Sequence, residues 1–94
     1  MSLRLIVSME AVPGKINDLI EAYRIRCDEV RFEPGCEQYE LYQSTERPNQ
    51  LVLLEKWSDD AVLQNHINVG KANNSSATAS LRTGDTSIER YVMD

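Results

Sequence analysis

Gly35-Cys36-Glu37-Gln38-Tyr39-Glu40-Leu41-Tyr42-Gln43-Ser44, followed after a short break by Leu51-Val52-Leu53-Leu54-Glu55-Lys56-Trp57, is the stretch that decides the fold. In its first half the two-residue period of a strand puts Tyr39, Leu41 and Gln43 on one face and Gln38, Glu40 and Tyr42 on the other. The second half puts Leu51, Leu53, Glu55 and Trp57 on one face and Val52, Leu54 and Lys56 on the other. Thr45-Glu46-Arg47-Pro48-Asn49-Gln50 between them has hairpin-loop composition. Both faces of the second strand carry apolar residues, which a strand covered on one side only does not need. Helices can cover one face. A second copy of the sheet is the economical cover for the other, so a homodimer through the sheet face is expected.

Upstream, Leu3, Leu5, Val7 and Met9 alternate with Arg4, Ile6, Ser8 and Glu10, the pattern of a strand with one buried face. Val12-Pro13-Gly14 breaks it. From Lys15 the period becomes helical: Ile16, Leu19, Ile20, Tyr23, Cys27 and Val30 recur at threes and fours. That spacing predicts an amphipathic helix of about 17 residues, stopped by Pro34-Gly35. Downstream, Ser58 is the expected N-cap of a second helix, with Asp59 and Asp60 suited to its positive end. Val62, Leu63, His66 and Ile67 form its stripe, which turns the sole histidine inward or toward a cleft. Residues 68–85 are small and polar and read as a loop with at most a short helix. From Thr86 to Met93 strand alternation returns, with Ile88, Arg90 and Val92 opposite Glu89, Tyr91 and Met93. The order β-α-β-β-α-β implies an α+β, ferredoxin-like antiparallel sheet with both helices on one side.

The chain has 94 residues, which makes residues 1–94 a single domain. A domain of this size buries only roughly 60–65% of its unfolded surface, so a partner subunit adds useful burial. Net charge is -5, and no Lys/Arg cluster is visible, which excludes a nucleic-acid surface. No apolar run approaches the roughly 18 residues of a membrane span. Leu5-Ile6-Val7 is too short for a signal-peptide core, so no membrane partner and a cytoplasmic location are expected. Cys27 and Cys36, nine positions apart, form no metal or redox motif and read as small buried thiols.

One histidine and two cysteines cannot build a transition-metal site, and no phosphate-binding glycine loop occurs. No bound metal or cofactor is expected. His66 could serve as a base, because an unperturbed imidazole titrates near pH ~6.5; the same position also suits a hydrogen-bonded core histidine. Trp57 could stack on a flat substrate and donate its indole N–H to a substrate oxygen, or anchor the core at a strand end. Glu55 shares its face and, once covered, needs a partner such as Arg90, a tyrosine or His66. Tyr39, Tyr42 and Tyr91 are candidates for cavity walls or for the dimer face.

The chain resembles the antibiotic-biosynthesis monooxygenase family. The residues that carry the resemblance are Val12-Pro13-Gly14-Lys15, Glu33-Pro34-Gly35-Cys36, Tyr39-Glu40-Leu41-Tyr42 and Leu54-Glu55-Lys56-Trp57 followed by His66. The resemblance implies a dimeric α+β barrel of ferredoxin-like subunits. Enzymes of this family include oxygenases of phenols, hydroquinones and anthrones that use neither metal nor flavin. There a base deprotonates the substrate and the site orients, desolvates and stabilises charge. By that resemblance His66, Trp57 and Glu55 are the catalytic candidates. Tyr39, Tyr42, Tyr91 and Leu53 are the substrate-binding candidates, Leu53 standing where some anthrone oxygenases carry Asn. Lys71 stands where many members carry a second histidine. The family also holds an isomerase and haem-degrading relatives, so fold does not fix reaction. The expected function is a cofactor-independent monooxygenase of a small aromatic, quinol or anthrone-like substrate. The alternatives are a non-catalytic dimeric small-molecule-binding module and an isomerase-like member.

Overall fold

A computed structural model of the chain describes residues 2–72 and 76–93. Its elements run β1 (Ser2–Ala11), α1 (Ile16–Val30), β2 (Cys36–Gln43), β3 (Gln50–Trp57), α2 (Asp60–Ala72), α3 (Ser76–Ala79) and β4 (Arg82–Met93). The strands form one sheet in the order β2-β3-β1-β4, and every neighbouring pair is antiparallel. This is the α+β, ferredoxin-like arrangement that the alternation of periods implies. The pairing register aligns Tyr39, Glu55, Leu5 and Arg90 in one row across the sheet.

The helices cover one face of the sheet. Leu3, Leu5, Val7, Met9 and Ala11 of β1 meet Leu51, Leu53 and Trp57 of β3 and Tyr39 of β2 there, beneath Leu19, Tyr23, Cys27 and Val30 of α1 and Leu63 of α2. These are the residues that the two- and three-to-four-residue periods assign inward. Ile67, placed on the inner stripe by spacing, sits at its rim and is exposed. The opposite face of the sheet has no cover among the described residues. It carries half-buried Ile6, Val52 and Leu54 together with exposed Tyr42, Tyr91 and Met93.

Three local expectations are corrected. The first helix begins at Ile16, not Lys15, which stands at its N-cap without a capping side chain. Asp59, not Ser58, caps α2: its Oδ1 accepts from the Val62 N–H at 3.0 Å, three residues into the helix. Ser58 instead donates its backbone N–H to the Gly35 carbonyl at 2.9 Å. Within 68–85, read as a loop with at most a short helix, α3 is that short helix, but α2 continues to Ala72 and β4 begins at Arg82, four residues before Thr86. Backbone pairing explains the early strand: Arg82 and Thr83 stand opposite Ala11 and Glu10, and an edge strand needs no apolar side chains to hold that ladder. Residues 73–75 of that stretch lie outside the described residues.

The loop between α1 and β2 is fastened tightly. Gly35 adopts φ +81°, a region that favours glycine, and a Cβ there would stand 2.5 Å from Val62 Cγ2 and 2.7 Å from Ser58 Oγ. That close approach locks the turn 31–35 onto the first turn of α2.

Candidate functional site

The inner face of the sheet ends in Glu55 and Trp57, and α2 lays His66 over them. Leu63 and His66 sit three residues apart on the face of α2 that packs on β3, so the packing that buries Leu63 also buries the imidazole; His66 is 8% exposed. The His66 ring centroid stands 4.6 Å from Trp57 at an interplanar angle of 30°. Tyr39 closes the group edge-on, at 5.5 Å from His66 and 6.5 Å from Trp57. Three of the sequence-derived candidates therefore form one aromatic cluster between sheet and helix.

Glu55 lies beneath it and is itself buried. The Trp57 indole N–H donates to Glu55 Oε1 at 3.0 Å. This bears on two sequence readings. The indole N–H is taken up inside the protein and does not face a substrate oxygen. The partner of Glu55 is neither Arg90, which pairs with Asp60 at the surface, nor a direct hydrogen bond to His66. Burial pushes the Glu55 carboxyl above its ordinary range. The Trp57 hydrogen bond opposes that shift, as do the His66 and Arg26 side chains.

Glu55→Gln is accordingly expected to exceed the wild type in stability at neutral pH. A carboxyl raised on folding contributes stability that is complete below its unfolded value of about 4.3 and is lost as pH rises through the folded value. Glutamine keeps an oxygen for the indole N–H and has no proton to lose. Urea unfolding between about pH 4 and 8 checks this. The difference should grow with pH in favour of the variant, and an offset independent of pH would contradict it.

His66 takes its carboxylate from elsewhere. Glu33, in the turn after α1, places Oε1 2.9 Å from His66 Nδ1. Among the described residues, the hydrogen bond found for the ring is the one at Nδ1. Glu33 was not singled out as a site residue, nor was Arg26. Each had a signal in the chain. Glu33 immediately precedes the Pro34-Gly35 stop and is the one carboxylate of that turn. Arg26 lies three after Tyr23 and four before Val30, on the inner stripe of α1.

The remaining candidates divide between the faces. Leu53 is buried on the same face as Glu55 and Trp57, one strand period away. Tyr42 and Tyr91 lie on the opposite, open face, opposite Val52 and Arg4 in register, and each is about half exposed. Within one chain the sheet separates them from His66, which leaves Tyr39 alone of the three tyrosines beside the imidazole. Burial, with Glu55 nearby, holds the Tyr39 phenol protonated well above its usual range. Burial likewise pushes the Cys36 thiol up to about 11 and raises that of Cys27, which leaves both free cysteines protonated at neutral pH.

Among the described residues no three His, Cys, Asp or Glu side chains converge into a metal-binding group. No described helix is long and apolar enough to cross a membrane. One cavity of about 330 Å³ lies on the open face beside Tyr42, Arg47 and Val52. Another, of about 350 Å³, lies beside Glu10, Thr83 and Gly84, and one of about 200 Å³ between α1 and β2 beside Arg24, Cys27 and Arg31. None of these three is lined by Glu55, Trp57 or His66. Lys71 lies on α2, but its side chain is outside the described residues.

Comparison with solved structures places the same architecture in other organisms. A conserved protein from Methanosarcina mazei Go1 is 25% identical with a TM-score of 0.88, over 97% of this chain and 91% of that one. A protein from Pseudomonas aeruginosa is 27% identical with a TM-score of 0.82, over 98% of this chain and 93% of that one. An antibiotic biosynthesis monooxygenase is 22% identical with a TM-score of 0.86, over 98% of both chains, a likeness of fold. No curated protein matches. The sequence profile of the family described as antibiotic biosynthesis monooxygenase matches residues 2–70, which span β1 through nearly all of α2 and so include Glu33, Tyr39, Glu55, Trp57 and His66. The chain belongs to the antibiotic biosynthesis monooxygenase family.

Proposed function

We propose that this protein is a cofactor-independent monooxygenase of a small aromatic, quinol or anthrone-like substrate, working as a homodimer with His66 as the base. The observation that carries the reading is the imidazole itself. It is held between Trp57, Tyr39 and α2, with one ring nitrogen on Glu33 and the other without a partner among the described residues. An imidazole nitrogen with no partner among the described residues, beside aromatic rings, suits removal of a proton from a phenol or an activated C–H. The substrate anion then passes electrons to O2; one oxygen atom enters the substrate and the other leaves as water, so the substrate supplies both reducing electrons. Trp57 backs the imidazole as a flat apolar layer, Glu55 holds the indole ring in place, and Leu53 and Tyr39 keep the surroundings dry. Oxygen uptake with simple hydroquinones and anthrones, without added metal or flavin, tests the reading. Uptake that appears only after a metal or flavin is supplied would overturn its cofactor-independent part.

The dimer rests on the uncovered sheet face. Ile6, Val52 and Leu54 alternate there with polar groups that already pair within the face, Arg4 with Gln38, Gln38 with Glu40 at 2.8 Å, and Lys56 with Glu37 at 3.8 Å. Apolar residues flanked by satisfied polar ones suit a two-fold contact with a second copy. Tyr42 and Tyr91 then belong to the interface. Sedimentation at micromolar concentration is expected to give a dimer, and Leu54→Lys to shift it toward monomer by placing a charge in that contact. A wild-type protein that sediments only as monomer would refute the dimer.

A further inference from the structure

We infer that Glu33 is the positioning residue of His66: its carboxylate accepts the Nδ1 proton of the neutral imidazole and so leaves Nε2 as the atom that receives the proton of the substrate. This rests on the reading of His66 as base and adds which atom acts and what selects it.

The argument is one of hydrogen-bond chemistry. A neutral imidazole carries one N–H donor and one bare acceptor nitrogen, and an ionised carboxylate only accepts. Glu33 Oε1 stands 2.9 Å from Nδ1, so the proton belongs on Nδ1. With the His66 side chain 9% exposed and that of Glu33 18% exposed, little water competes for that bond. The backbone that carries the carboxylate is also held. The Glu33 N–H donates to Val30 O at 2.9 Å, and its own carbonyl accepts from Cys36 N at 3.2 Å. Two residues on, Gly35 rests against Val62, which lies one helical turn before His66 on the same side of α2. The turn and the histidine are therefore docked on one stripe of one helix, which keeps the distance between Glu33 and His66 short.

The other groups that face the ring do not compete for Nδ1. Glu55, on β3, is engaged by the Trp57 indole N–H. Tyr39, on β2, and Trp57 meet His66 as rings. Arg26, on α1, acts on Glu55 and Tyr39. Among the described residues, Glu33 is the group that selects between the two nitrogens.

His66 is the only histidine of the chain, so isotope-labelled histidine gives a nitrogen spectrum of this one ring in the intact protein. In the neutral form the wild type is expected to carry its proton on Nδ1. Glu33→Ala should move it to Nε2, while Glu33→Gln, whose amide oxygen still accepts, should retain it on Nδ1. In the oxygen assay Glu33→Ala should lower kcat by at least about 10-fold through the wrong tautomer, with Glu33→Gln partly restoring it. A wild-type ring protonated on Nε2 overturns the inference without any variant, and so does a Glu33→Ala ring still protonated on Nδ1. The tautomer is read without turnover. A protein that consumes no oxygen yet holds the Nδ1 proton supports the positioning by Glu33 and refutes the oxygenase; His66-dependent uptake with the proton on Nε2 does the reverse.

Discussion

Trp57→Ala is expected to lower unfolding free energy by about 3–5 kcal/mol, the largest loss of stability from any single truncation in this domain. Trp57 is fully buried and is the largest such side chain. Its removal leaves a void between β3 and α2, and His66 loses the ring it lies 4.6 Å from. A second cost is electrostatic. Glu55 loses its donor and is left as a buried carboxyl without that hydrogen bond. For a domain of this length, whose total stability is about 5–14 kcal/mol, such a loss takes away a large part of the margin. A melting temperature lower by about 15–30 °C should be seen by circular dichroism. Trp57→Phe separates the two costs, because it restores most of the volume but not the N–H. It is expected to fall between the wild type and Trp57→Ala. A drop of less than about 5 °C for the alanine variant would show that Trp57 is not the anchor of this layer.

His66→Ala is expected to reduce oxygen uptake by about 10²–10⁴-fold, the usual contribution of a positioned general base. The change is readable because the chain offers no second histidine to take over. The neighbouring groups are poor substitutes. Tyr39 is held protonated by burial, both cysteine thiols are raised by burial, and Glu55 is occupied by Trp57. The variant also leaves Glu33 without its partner, so folding must be followed beside activity; His66→Gln, which refills part of the space, serves as the control. Equal rates in the wild type and in a folded His66→Ala protein would remove His66 from the chemistry.

Much of the fold was legible because periodicity records burial directly. The alternation of Leu3, Leu5, Val7 and Met9, the helical stripe from Leu19 to Val30, and the inward face of Leu51, Leu53, Glu55 and Trp57 all appear as buried rows. In 68–85 the short helix was legible but the early start of β4 was not, because β4 is an edge strand held there by its backbone ladder, which leaves no apolar period in the sequence. At the site, the approach of His66 to Trp57 followed from two stripes facing one another. The carboxylate that serves His66 did not, because Glu33 lies 33 residues away in a turn with no period at all.

What the sequence alone determined, then, is which residues are buried, in what order the elements come, and that the chain belongs with the antibiotic biosynthesis monooxygenases. Tertiary structure alone decided the pairings: Glu33 with His66, Glu55 with Trp57, and Tyr42 and Tyr91 on the far side of the sheet from both. The physical reason is that burial is a property of one position and repeats with the local backbone. A hydrogen bond is a property of two positions, and their distance is set by how a turn such as 31–35 docks on a helix far along the chain.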